Sequence, residues 1–234
     1  MATAAPALEK KSKKPQRADL KLVRDLMTAP TMVDRINLLP KNSDFVFKFT
    51  DPPFTDGISK GDGGHSVSAN RATFPALIGS GVSMTLGFLD GCGFNTPHTH
   101  PRAAEMNIIV EGRLNTQFIM ENGARAVHNS LNRYDMAIFP PGAMHAEFNP
   151  DCTPAVFVAG FGDEDHGVQQ TAQTFFGLKN SMIDATLGFS GATISGKDID
   201  TYRGLIPKNV ALGVDKCLKK CGLKRNTKRE LERW

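Results

Sequence analysis

Residues 93–112 read GFNTPHTHPRAAEMNIIVEG, and a further histidine, His145, stands in PPGAMHAEFN at 140–149. In an extended segment residues two apart share a face, so His98 and His100 can reach one point without bending the chain. Glu105 lies an odd number of residues from His100, and a regular strand would turn it away. A break or bulge is therefore expected between them. Pro101 supplies the interruption, because it has no N–H to donate to a strand ladder. Met106–Val110 then continues as an apolar strand, and Gly112 marks a turn. Pro140-Pro141-Gly142 is a second turn signal, which sets His145 at the start of another strand. Three imidazoles and a carboxylate are the ligand types of a first-row divalent metal. A His-x-His pair alone is a weak signal among six histidines. The pair together with Glu105, the turn and His145 favours a metal site over packed or surface histidines.

Outward from this stretch, short strands follow closely at 82–89, 106–111, 113–120, 126–131, 135–139, 143–148 and 155–161. Asn122-Gly123 is a hairpin signal between two of them. Many short strands without intervening helices predict an all-β sandwich or barrel. Upstream, residues 1–17 read as a flexible basic arm and 18–28 as a short helix. DFVFKF at 44–49 alternates and predicts a strand. Residues 51–70, rich in Gly, Pro and Asp, read as a long loop with His65 at its surface. Downstream of 165 the alternation ends. NSMIDATLGF and NVALGVDKCLKKCG fit short helices, with SGATISGKDID as a loop between them. The expected units are an arm (1–17), a barrel (18–165) and a helical segment with a basic tail (166–234).

The spacing His-x-His-x4-Glu-x6-Gly, followed by Pro-x-Gly-x2-His-x3-Asn, resembles the paired signature of the cupin superfamily. PHTHPRAAEM resembles the germin box of germin-like proteins, and GCGFNTPHTHPRA is most similar to the spherulin-like branch. The resemblance spans residues 30–215 and is strongest at 81–161. It implies a single cupin (double-stranded β-helix, or jelly-roll) barrel, manganese held by His98, His100, Glu105 and His145, secretion, and a stable oligomer, commonly a hexamer. Two asparagines and a glutamine hold the substrate in germins that oxidise oxalate. Asn95 matches the second asparagine, whereas Thr85 stands in place of the first and Glu147 in place of the glutamine. Both changes count against oxalate oxidation. Tyr134 replaces the glycine that opens the second motif, a change expected to alter a turn rather than the site.

The 234 residues are 40% hydrophobic, enough for a packed core, and no apolar run is long enough to span a membrane. MATAAPALEKKSKK has no apolar centre, so no signal peptide is visible, and secretion rests on the resemblance alone. Charge is uneven: residues 1–24 carry +5 and residues 216–234 carry +6, which leaves −7 between them in a total of +4. Such ends read as solvated tails rather than nucleic-acid arms, and a tail could dock on a neighbouring acidic subunit. Cys92 and Cys152 flank the two motifs and are expected to form a disulfide if the barrel brings them together. Cys217 and Cys221, four apart, share a helix face and form either a local bridge or two free thiols; they are a poor zinc signal.

Three imidazoles and one carboxylate leave a divalent ion at net +1, with positions open for a small anionic or oxygen-derived substrate. Manganese supports redox work, and iron, copper and zinc fit the same ligand types. Glu147, two residues after His145, shares its face and is a candidate acid or base, a hydrogen-bond partner of a ligand, or a rim residue. Asn95 could hold a bound anion. Arg102 either steers anions or makes a structural ion pair. Three classes follow: a superoxide- or oxalate-acting manganese oxidoreductase, a decarboxylase- or dioxygenase-type cupin using Glu147, and a non-enzymatic stress, storage or wall-associated protein that holds a metal. Val210, Leu212 and Val214, lying beyond a closed barrel, are expected to cover a second subunit.

Overall fold

The computed structural model describes residues 14–188 and 196–225. After α1 (Leu20–Thr28) and α2 (Met32–Asn37) come ten strands: β1 (Ile58–Gly61), β2 (Gly64–Ala69), β3 (Ser83–Leu89), β4 (Gly93–Thr99), β5 (Glu105–Glu111), β6 (Leu114–Ile119), β7 (Val127–Leu131), β8 (Met136–Phe139), β9 (Met144–Phe148) and β10 (Ala155–Phe161). A two-residue β11 (Gln169–Gln170) precedes α3 (Thr171–Phe175), α4 (Asn180–Thr186) and α5 (Gly196–Leu205). Last are β12 (Ala211–Leu212) and α6 (Asp215–Cys221). The pairing is antiparallel. One sheet runs β1-β2-β3-β10-β5-β8, the other β11-β4-β9-β6-β7 with β12 also on β4. This is the expected all-β jelly-roll barrel.

Alternation explains why these segments are strands. On β10, Ala155, Phe157, Ala159 and Phe161 point inward, and on β3, Ser83, Thr85, Gly87 and Leu89 do. Gly87 is required there, because a Cβ would lie 2.2 Å from the Phe157 ring. Leu89, Ile109, Leu114, Phe139 and Phe157 form the core between the sheets. Further along the same inward faces the residues become polar: Glu105 and Asn107 on β5, His145 and Glu147 on β9. One end of the interior is thus apolar and the other equipped for chemistry.

Several expectations are corrected. Residues 44–49 form no strand; a 3₁₀ turn spans Asn42–Phe45, closed by Lys41 N–H donating to Asp44 at 2.9 Å. The alternating phenylalanines pack locally instead, Phe47 lying 4.9 Å from Phe49 and 5.5 Å from Phe74. The stretch 51–70 is no single loop: β1 and β2 form a hairpin closed by Asp62-Gly63, a turn pair suited to such a two-residue connection. His65 lies on β2, stacked on Phe88 at 4.6 Å. Residues 14–17 of the expected arm are held, since Thr55 and Asp56 N–H donate to the carbonyls of Pro15 and Gln16, and Arg17 pairs with Asp56 at 2.7 Å. Residues 1–13, the tail from 226 and 189–195 lie outside the described residues. From Gly196, the stretch read as a loop is α5.

Cys92 does not pair with Cys152. The disulfides are Cys92–Cys217 and Cys152–Cys221. Cys217 and Cys221 do share a face of α6, but that face lies against the two loops carrying Cys92 and Cys152, so each finds its own partner. The segment before α6 is not helical: β12 pairs with β4, and Val210 is buried in the barrel core at 1% exposure. Val210 and Leu212 therefore pack within their own chain; Val214 is half exposed. Tyr134 adopts φ 74°, a left-handed conformation in which glycine is least strained, and sits in the turn between β7 and β8.

Candidate metal centre

His98, on β4, and His100, just past its end, share a face as the alternation predicted. The chain breaks between His100 and Glu105 by leaving one sheet for the other, so no bulge within a single strand is needed there. The irregularity lies upstream, where the β4–β9 register shifts between Asn95 and His98. His145, two residues into β9, is the register partner of His98. One donor atom from each of His98, His100, Glu105 and His145 lies within 4.8 Å of all the others, and all four residues are buried.

The hydrogen bonds set the ring tautomers. His98 Nδ1–H donates to the Thr96 carbonyl at 2.8 Å, His145 Nδ1–H to Ala143 at 2.8 Å, and His100 Nδ1–H to Gly167 at 2.5 Å. In the neutral rings each Nε2 is then a lone pair aimed inward. His100 Nε2 and His145 Nε2 both lie 3.0 Å from Glu105 Oε2. Lone pairs converging on a buried carboxylate repel it unless a proton or cation sits among them. Among the described residues the charged partners that act on Glu105 are His100 and His145. The donor set therefore fits a divalent cation.

Titration directions in the metal-free protein report the same demand. Burial lowers His145, but the hydrogen bond to Glu105 and the nearby carboxylates outweigh it and hold the ring at about 9. Burial raises Glu105, yet its bonds to His100 and His145 drive it well below the usual carboxylate range. Burial, reinforced by His145, lowers His98 to about 3, so it is neutral and ready as a ligand at ordinary pH.

Beside the cluster opens a cavity of about 200 Å³, lined by His98, His100, Glu105, Asn95 and Thr85 among others. Asn95 Nδ2 lies 3.5 Å from His98 Nε2, and its carbonyl accepts from Asn209 Nδ2 at 2.7 Å. The Thr85 hydroxyl is joined to Ser68 Oγ at 2.6 Å. Glu147 is wholly buried and does not line this cavity. Its Oε1 accepts from Asn107 at 3.3 Å, and its Oε2 has no hydrogen-bond partner among the described residues. Burial and the charge of Glu105 push it up to about 8. Arg102 pairs with Asp165 at 3.1 Å, a structural contact.

Two cavity residues escaped the sequence reading. Asn209 arrives from the C-terminal segment and also accepts from Thr96 N–H at 2.9 Å. His166 is buried, stacked on Phe161 with ring centroids 3.9 Å apart, and 5.1 Å from the His100 ring. Burial, with His100 beside it, lowers His166 to about 4. No local spacing links it to the motifs; its only signal was the sixth histidine, in GDEDHG after the last barrel strand.

The cupin family model matches residues 50–195. Spherulin-1A of Physarum polycephalum is 42% identical over 205 residues, covering 88% of this chain and 80% of that protein. Germin-like protein 9-3 of Oryza sativa is 35% identical over 137 residues, covering 58% of this chain and 61% of that protein. An oxalate oxidase structure superposes with TM-score 0.60 at 23% identity, over 70% of this chain and 80% of that one. Oxalate decarboxylase from Bacillus subtilis superposes with TM-score 0.54 at 18% identity, over 61% and 35%. These likenesses of fold and sequence converge with the two motifs and the buried cluster they build: the chain belongs to the cupin family.

Proposed function

We propose that this chain is a manganese-dependent cupin oxidoreductase that acts on superoxide, with oxalate oxidation weak or absent. The observation that carries the reading is the buried convergence of three imidazole nitrogens and Glu105 on one point beside an open cavity. His98, His100, Glu105 and His145 would hold the ion, and bound manganese would supply two accessible oxidation states. Manganese is favoured over iron, copper or zinc because the Bacillus subtilis oxalate decarboxylase, which shares the fold, carries Mn(II) centres.

The chain's own residues suit a small oxygen-donor ligand. Asn95 Nδ2 stands next to His98 Nε2 and can donate to such a ligand. Glu147 keeps a proton behind the cluster at neutral pH, screened from the cavity by its burial. That position argues against the decarboxylase-type reading, in which Glu147 would touch the substrate directly. Thr85 faces the cavity but is committed to Ser68, so it offers little to a dicarboxylate. Two disulfides fit an oxidising, extracellular compartment. Among the described residues no helix is long and apolar enough to cross a membrane.

A homo-oligomer belongs to this proposal, on a surface other than the one first expected. Met84, Met106 and Ile138 lie in one row across β3, β10, β5 and β8, with Gly160 between them, and Met136 is in the next row. These side chains are exposed on the outer face of the first sheet. A second copy of the chain is the occupant that would cover them.

Assays of the manganese-loaded protein against superoxide and oxalate test the activity. Superoxide dismutation with little oxalate oxidation is expected, and Thr85→Asn, which puts an amide on the cavity wall, should raise oxalate turnover. Strong oxalate oxidation by the unmodified protein without superoxide activity would overturn the reading.

A further inference from the structure

We propose that the four cysteines where α6 docks form a redox-linked zinc site: two disulfides under oxidising conditions and, after reduction by a dithiol, a tetrahedral four-thiolate centre for one zinc ion. Cys92 precedes β4 and His98 lies near the far end of that strand, so this site is separate from the histidine cluster and does not rest on what the cluster holds.

The sulfurs already stand near the corners of such a site. Zinc–thiolate bonds of about 2.3 Å in a tetrahedron set neighbouring sulfurs about 3.8 Å apart. Cys221 Sγ lies 3.6 Å from Cys92 Sγ and 4.0 Å from Cys217 Sγ, although it is bonded to neither. The sulfurs of Cys92, Cys217 and Cys221 all lie within 4.8 Å of one another, and Cys152 is bonded to Cys221. Breaking the two S–S bonds lets each bonded pair open toward the same spacing by side-chain rotation. Two ligands come from one face of α6 and two from separate loops, which is why the spacing of Cys217 and Cys221 alone is a poor zinc signal.

Contacts other than the sulfur bonds hold this scaffold. Cys92 N–H donates to the Asp151 carbonyl at 3.0 Å, and Gly213 N–H donates to the Cys92 carbonyl at 3.1 Å. Asn149 Nδ2 donates to the Asp90 carbonyl at 3.0 Å and the Thr153 carbonyl at 2.8 Å, which ties the two loops together. Leu218 of α6 is buried against Cys92, with Phe148 and Leu212 beside them. Charge favours the reduced form of the site. Four thiolates on a divalent ion carry net −2, and thiolates are stabilised beside cations. Residues 216–225 carry five basic side chains and no acidic one. Lys220 reaches over the Cys152 loop, 3.5 Å from Asp151.

Exposure sets the order of reduction. Cys152 is exposed and Cys221 half-buried, whereas Cys92 and Cys217 are buried. A dithiol meets the Cys152–Cys221 bond first and reduces it to two thiols, becoming a disulfide itself. The Cys221 thiolate, 3.6 Å from Cys92, then attacks that sulfur: a Cys92–Cys221 bond forms and Cys217 leaves as a thiolate. A second dithiol reduces the new bond through its Cys221 end. Two dithiols thus deliver four electrons and four protons, and zinc binding releases thiol protons to water.

The full chain, reduced with a water-soluble phosphine so that no added thiol competes for metal, is compared with the oxidised chain. Elemental analysis after dialysis counts zinc, and cobalt(II) is the spectroscopic probe. The reduced chain should hold one more zinc ion than the oxidised chain. Its cobalt form should show sulfur-to-metal charge transfer and the intense visible bands of tetrahedral cobalt, both bleached by added zinc. The three histidines and Glu105 offer no sulfur, so the charge-transfer band reports the cysteine site alone. Cys152→Ser with Cys221→Ser keeps the Cys92–Cys217 pair; after reduction this variant should lose the extra zinc ion and the band. Far-ultraviolet circular dichroism of the reduced, zinc-loaded parent should retain its β spectrum. Equal zinc content in both redox states, a band of undiminished intensity in the double variant, visible bands too weak for tetrahedral cobalt, or loss of the β spectrum would overturn the proposal.

Discussion

Glu147 carries a proton that its burial makes hard to lose, and this has a thermodynamic consequence. In an unfolded chain Glu147 ionises near 4.5 and His145 near 6.5, whereas the metal-free fold holds them at about 8 and about 9. Between pH 6.5 and 8 the fold therefore keeps two protons that the unfolded chain has released, so rising pH favours unfolding. The His145 contribution continues to about pH 9. Below 6.5, His98 and His166, held neutral by burial, act in the opposite direction. The melting temperature of metal-free protein should thus fall from pH 6.5 to 9, and Glu147→Gln should make the fall shallower. A flat or rising profile would contradict the burial argument. The four cluster residues were legible in the sequence because His98, His100 and Glu105 fall within eight residues and His145 follows a turn signal of its own. His166 was not, because only the return of the chain after β10 brings it to the cavity. The phase of Glu105 was legible as a problem, though its solution, a crossing between sheets, needed the fold.

At the scale of elements, the C-terminal segment ties the site together. β12 pairs with β4, the strand that carries His98, Asn209 just before it holds Asn95, and two disulfides fasten α6 to the loops at Cys92 and Cys152. Replacing Cys92 and Cys217 together with serine should lower the unfolding free energy by about 2–5 kcal/mol, since the bridge closes a long loop. Urea denaturation reads this directly, and a loss well under 1 kcal/mol would show that α6 is held by packing alone. The seven strands expected from 82 to 161 were readable from alternation, with ends displaced by at most one residue. The β1–β2 hairpin was obscured because its turn, Asp62-Gly63, lies in a stretch dense with other loop formers. Phe45, Phe47 and Phe49 misled in the other direction: alternation makes a strand only where a neighbour offers a ladder. The cysteine partners depended on where α6 docks, which no spacing encodes.

At the scale of the whole molecule, the exposed row Met84, Met106 and Ile138 argues for assembly through the outer face of the first sheet. Light scattering at micromolar concentration should report an oligomer, and Met106→Glu with Ile138→Glu should shift it toward monomer without unfolding it. A monomeric parent protein would remove this part of the account. The excess of basic charge at the two ends, plain in the sequence, lies mostly on described residues, +3 of +5 at 14–24 and +5 of +6 at 216–225. The central claim is that His98, His100, Glu105 and His145 hold one metal ion per chain. Elemental analysis of protein purified without added metal, beside His98→Ala and His145→Ala, tests it most directly. One ion per parent chain, predominantly manganese, and loss of stoichiometric binding in both variants is the predicted result; variants that hold the metal as well as the parent does would contradict it.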